Sequence, residues 1–138
     1  MKKRQPVSDV MTKQVVTVNV KDSLLTVKSV LSNKKVRHLP VLDGGKLVGI
    51  LSRTDVMRLS FGNVFGEQAE ADAAIFEMLS IPQIMTHKPR TVSVSMTIHD
   101  VAEILAEEEF HALPVVDGDK LVGIVTTTDI IRFLLAQY

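Results

Sequence analysis

Apolar and polar positions alternate with two different periods along this chain. Leu24, Val27, Val30 and Leu31 recur three and four residues apart with polar residues between them, the spacing of an amphipathic helix. A β-branched stretch, Val15-Val16-Thr17-Val18, precedes this stripe and reads as a short strand, with Asp22-Ser23 marking the helix start. Two apolar runs follow, Leu39-Pro40-Val41-Leu42 and Leu47-Val48-Gly49-Ile50-Leu51, on either side of Asp43-Gly44-Gly45-Lys46. Two strand-like runs about a glycine turn predict a hairpin. A second helix is expected over residues 55–60, so the order is β-α-β-β-α.

The same order returns 74 residues later without a gap. Val10-Met11-Thr12 falls on Ile84-Met85-Thr86, Leu39-Pro40-Val41 on Leu113-Pro114-Val115, and Lys46-Leu47-Val48-Gly49-Ile50 on an identical block starting at Lys120. Positions 7–60 against 81–134 share 20 identities in 54. The second helical stripe is Ile98, Val101, Ile104 and Leu105, the second hairpin turns at Asp117-Gly118-Asp119-Lys120, and a final helix is expected over 129–137. The expected fold is α/β in the broad sense (α+β): two tandem β-α-β-β-α repeats over 1–60 and 81–138. A linker over 61–80 joins them, its residues 67–79 reading as an amphipathic helix with apolar positions 71, 75, 78 and 79. Repeats of this length approach the lower limit for an independent core, so the two are expected to pack as one module.

Composition narrows the function more than the fold. With 46% hydrophobic and 23% charged residues the chain is globular rather than disordered. Sixteen basic and sixteen acidic residues cancel, and there is one Tyr and no Trp, which argues against nucleic acid as a partner while leaving room for a local basic patch. No uncharged apolar run is long enough to span a membrane. The absence of cysteine removes thiolate chemistry and fits a reducing, cytoplasmic setting. His87 and His99 show no metal-ligand spacing, Glu107-Glu108-Glu109 reads as a solvated helix end, and no Gly-x-Ser-x-Gly occurs. No catalyst and no metal site are expected.

The candidate chemistry lies where each copy's last strand ends, at Ser52-Arg53-Thr54-Asp55 and Thr126-Thr127-Thr128-Asp129. A carboxylate accepts two hydrogen bonds from a ribose diol, and hydroxyls with free N–H groups at a helix start suit a phosphate. The same Ser/Thr-x-x-Asp spacing also makes a helix cap, and spacing alone leaves both readings open. Arg37 and His38 precede the first hairpin and offer donors to phosphate oxygens. Their counterparts are His111 and Ala112, so the two copies are expected to differ in ligand or occupancy.

Val-Met-Thr, then Thr-Val, a helix, His-Leu-Pro-Val, Asp-Gly, Leu-Val-Gly-Ile and Ser/Thr-x-Thr-Asp, in this order and twice over, resemble the cystathionine β-synthase (CBS) domain. The resemblance covers both copies and implies a tandem pair, or Bateman module, packed with pseudo-two-fold symmetry and typically a homodimer. It implies an adenosine-containing ligand, AMP, ADP, ATP or S-adenosylmethionine, in clefts between the halves. It also implies a regulatory role toward an unidentified protein, here as a stand-alone module. By the same resemblance Asp55 and Asp129 hold the ribose, and Ser52 and Thr126, with Thr54 and Thr128 beside them, supply hydroxyls. Arg37, His38 and His111 meet phosphates, and the stretches at Val16-Thr17 and Thr91 meet the adenine, with Pro89 and Arg90 altering the wall in the second copy. The alternative is a ligand-independent dimerisation or docking module.

Overall fold

The computed structural model describes residues 4–59, 74, 77–108 and 110–138. The first copy forms β1 (Val18–Asn19), α1 (Leu24–Lys34), β2 (His38–Asp43), β3 (Lys46–Ser52) and α2 (Arg53–Met57). A short helix, α3 (Ile81–Ile84), and β4 (Thr86–His87) lead to the second copy, β5 (Val92–Ser93), α4 (Ile98–Glu107), β6 (Ala112–Asp117), β7 (Lys120–Thr126) and α5 (Thr127–Ala136). The mixed α+β order read from the sequence is therefore present twice. The expected linker helix falls largely outside the described residues, of which Ala74, Glu77 and Met78 are helical.

Each helical stripe buries one side. Leu24, Val27 and Leu31 of α1 are buried, as are Ile98, Val101 and Leu105 of α4, while Val30 and Ile104 are partly covered at the stripe's edge. Ser23 and Thr97 start these helices, their hydroxyls accepting from the N–H groups of Thr26 at 3.1 Å and Asp100 at 3.1 Å. The hairpins pair β2 with β3 and β6 with β7 in antiparallel register, and each carries the same irregularity, between Val41 and Leu42 and between Val115 and Val116. Gly44, Gly45 and Gly118 take positive φ in the turns.

Three elements start elsewhere than expected. β1 occupies Val18–Asn19 rather than 15–18, because ladder pairing to β2 begins only at Val18. The closing helices begin at Arg53 and Thr127, two residues earlier than expected, because Ser52 and Thr126 are the caps themselves.

The repeats of the sequence are not the compact units of the structure. One unit is Val16–Lys88, and the other joins Met1–Val15 to Pro89–Tyr138. Each sheet thus takes the segment preceding the other copy's first strand. β4 pairs with β3, with Thr86 opposite Ile50, and correspondingly Thr12 bridges to Ile124 through backbone bonds of 2.8 and 3.0 Å. Gly49 and Gly123 make room for this. A Cβ on Gly49 would run into the Met85 side chain and lie 3.0 Å from the Thr86 carbonyl, and one on Gly123 would meet Met11 and the Thr12 carbonyl in the same way. Ile81 and Met85 consequently complete the core around Leu39, Leu51 and Val56, while Val7 completes that around Leu113, Val115 and Val125. No described helix is long and apolar enough to cross a membrane.

Candidate functional site

The topology gathers the candidate residues at one end of each sheet. In the unit Val16–Lys88, β1 runs parallel to β2, so both begin at the same end, and β3 runs antiparallel, so it finishes there. Val16 and Thr17 before β1, Arg37 and His38 at the start of β2, and Ser52, Thr54 and Asp55 at and just after the end of β3 therefore lie at one end of the sheet. The other unit repeats the construction with Thr91 before β5, His111 before β6, and Thr126, Thr128 and Asp129 after β7. Seven candidates thus lie in one unit and five in the other.

Local hydrogen bonds fix both ends alike. The Ser52 hydroxyl accepts from the Asp55 N–H at 3.0 Å, and the Arg53 N–H donates to the Arg37 carbonyl at 2.7 Å. In the second copy the Thr126 hydroxyl accepts from the Asp129 N–H at 3.1 Å, and the Thr127 N–H donates to the His111 carbonyl at 3.0 Å. The register sets His38 directly across from Ser52, and Ala112 across from Thr126. His38 is half-buried and has a partner of its own.

The two carboxylates are held differently. Asp129 Oδ2 accepts from the Thr126 N–H at 2.9 Å, closing a reciprocal capping box and leaving its second oxygen for another donor. Asp55 makes no such return bond; its carboxylate faces Arg58 at 3.8 Å, a long exposed pair of little energetic weight. Both aspartates are partly exposed, as a ligand-accepting group must be. Cap and candidate ribose acceptor are different residues of one motif, Ser52 with Asp55 and Thr126 with Asp129, so the two readings open in the sequence are structurally compatible. Val16 also packs on its unit's core, so the apolar wall expected there is continuous with the interior.

Three expectations are corrected. Glu108 is paired rather than simply solvated: both its carboxylate oxygens accept from Arg90, at 3.1 and 3.3 Å, a contact between residues eighteen apart that only the tertiary fold brings together. His99 does have acidic neighbours, Asp100 at 3.7 Å and Glu103 at 3.5 Å, because i,i+1 and i,i+4 positions adjoin on α4. All three are exposed, and the cluster amounts to a surface charge group. Finally, the run Ile130, Ile131, Phe133, Leu134 and Leu135 reads in the sequence as one exposed apolar helix face, whereas in the fold Ile130 is buried and Phe133 packs half-buried against the core, which leaves Ile131, Leu134 and Leu135, with Tyr138 beyond the helix end.

A family model described as CBS domain matches residues 7–62 and again 81–136. The chain is similar to the CBS-pair protein CBSX2 from Arabidopsis thaliana, at 32% identity and TM-score 0.82 with 96% of both chains covered. A structure of CBSX2 in complex with AMP matches at TM-score 0.78, with 32% identity over 96% of this chain and 98% of that one. The CBS domain pair of protein MJ0100, in complex with 5-methylthioadenosine and S-adenosyl-L-methionine, matches at TM-score 0.78 and 27% identity, over 97% of this chain and 98% of that one. Among curated relatives, MJ1404 of Methanocaldococcus jannaschii is 29% identical over 93% of this chain, which spans 31% of the relative's length.

Proposed function

The chain belongs to the CBS domain family, and we propose that it is a regulatory pair that binds an adenosine-containing ligand at its strand ends. The observation that carries this is the twofold recurrence of a capped strand end bearing a partly exposed aspartate. In this reading Asp55 and Asp129 accept the ribose diol. Ser52, Thr54, Thr126 and Thr128 add hydroxyls, Arg37, His38 and His111 meet phosphate, and Val16, Thr17 and Thr91 border the adenine. The AMP bound by CBSX2 and the two adenosine compounds bound by the MJ0100 pair support the ligand class. We favour an adenine nucleotide of the AMP, ADP or ATP class, because Arg37 and Arg53 present guanidinium groups at the first strand end.

Ligand binding would regulate by differential affinity for two conformations, which a partner protein then distinguishes. A reducing cytoplasmic setting and a homodimer complete the proposal, the exposed face of Ile131, Leu134 and Leu135 being the surface such a dimer would use. Calorimetric titration with AMP, ADP and ATP tests the core of it. Saturable binding by the wild type, weakened at least tenfold in Asp55→Ala or Asp129→Ala, supports the assignment, and affinity unchanged in both variants removes it. Absence of binding to any of the three favours the docking module.

A further inference from the structure

We infer that the two strand-end sets divide their ligands by charge: the unit Val16–Lys88 takes a phosphate-bearing adenosine ligand, and the other unit takes an adenosine compound without phosphate. This deepens the ligand reading above and rests on it, narrowing the phosphate contacts to Arg37 and His38 and leaving His111 to an uncharged part of the second ligand. The basis is a charge inversion between two otherwise matching constructions. Asn33-Lys34-Lys35 at the end of α1 corresponds, 74 residues on, to Glu107-Glu108-Glu109, while Arg37 corresponds to His111, His38 to Ala112 and Arg53 to Thr127. The chain's zero net charge conceals this separation.

The fold brings these differences to the candidate site. Lys35 adopts a left-handed φ of 53° and turns the chain from α1 into β2, so Lys34, Lys35 and Arg37 stand at the strand end that also carries Arg53. The 2.7 Å backbone bond from Arg53 to Arg37 ties the two arginines together, and among the described residues neither guanidinium has an ion-pair or hydrogen-bond partner. Lys34, Lys35, Arg37 and Arg53 therefore lie on the segments that enter and leave this strand end, while Arg58, which faces Asp55 at 3.8 Å, has its counterpart in Arg132 and does not distinguish the two copies. Cations without anionic partners at the end of a sheet attract a polyanion, most strongly within the roughly 8 Å over which charges act at physiological ionic strength.

The second strand end is electrostatically opposite. Its entering cation, Arg90, precedes Thr91 and is already matched by Glu108. Setting aside the matched pairs Asp55 with Asp129 and Arg58 with Arg132, Glu107 remains as an anion, with His111 in place of an arginine and no donor on the Ala112 side chain. A phosphate there meets like charge, whereas an uncharged nucleoside, or one bearing a cationic sulfonium, does not. A helix-terminus dipole does not account for the difference, because the longer helix, α5, follows the end that lacks the cations.

The test is calorimetric titration with ATP and, separately, with adenosine at low and high salt. It compares the wild type, the double variant Arg37→Ala/Arg53→Ala, and the double variant Glu107→Lys/Glu108→Lys. All these side chains lie on the surface or at its edge, and melting without ligand verifies that the variants fold. The inference expects one ATP per wild-type chain, with affinity falling as salt rises and dropping roughly tenfold or more in the arginine variant, while adenosine affinity changes less than twofold. The glutamate variant is expected to gain a second ATP equivalent. If ATP binds but both variants leave its affinity and stoichiometry unchanged, the charge division is overturned and the ligand reading stands. If neither ATP nor adenosine binds the wild type, both fall together.

Discussion

Thr126 and Ser52 do the same local work with different reinforcement. Thr126 is one half of a closed capping box, whereas Ser52 accepts one bond and receives none back through Asp55. Thr126→Ala is therefore expected to destabilise the protein by about 1 kcal/mol, and Ser52→Ala by less, since α2 is only five residues long. Urea denaturation of the two variants checks this, and equal or reversed losses would refute it. These residues were legible because a cap needs its hydroxyl and carboxylate at a fixed short spacing. The Arg90 pair with Glu108 was not, since its partners are eighteen residues apart and meet only through packing. The neighbours of His99 were within reach of sequence reasoning, because helical spacing alone puts Glu103 beside it.

Helices and strands were readable from period, but their ends were not. The stripes on α1 and α4 each have three buried positions and one at the edge, as an amphipathic face against a sheet requires. β1 was overextended because β-branched composition continues back to Val15 whereas ladder partners do not. On α5 the apolar pattern encircles more of the helix than the core covers. Ile130 and Phe133 go inward, and Ile131 at 51% exposed and Leu135 at 67% exposed remain outside. The double variant Ile131→Glu/Leu135→Glu is accordingly expected to fold with little loss of stability and, if the proposed homodimer uses this face, to sediment as a monomer. A dimer unaffected by both substitutions would place its interface elsewhere.

The duplication was plain in the whole chain from a gapless offset of 74 residues, yet the exchange of segments between its copies was not. Val10-Met11-Thr12 and Ile84-Met85-Thr86 match each other so closely that identity cannot say which sheet each joins. The glycines facing them carry the structural signal: Gly49 lies against Met85 and Gly123 against Met11. Gly49→Ala and Gly123→Ala are each expected to lower stability by about 1–3 kcal/mol, since the added methyl meets a backbone carbonyl as well as the methionine. Thermal melts of the pair would refute this exchange of segments if both alanines were neutral. The exchange also makes each strand-end set a product of both copies' chain order, because every sheet that carries one is completed by a segment from the other repeat.

Binding of an adenosine ligand at these strand ends is open to a thermal-shift panel of AMP, ADP, ATP and S-adenosylmethionine. A ligand at a hundredfold excess over its dissociation constant stabilises the folded protein by about 2.7 kcal/mol, a rise of several degrees for a chain of this size. Such a rise is expected for at least one of these compounds in the wild type, with its loss in Asp55→Ala/Asp129→Ala. A flat panel, or a shift that survives in that variant, would contradict it.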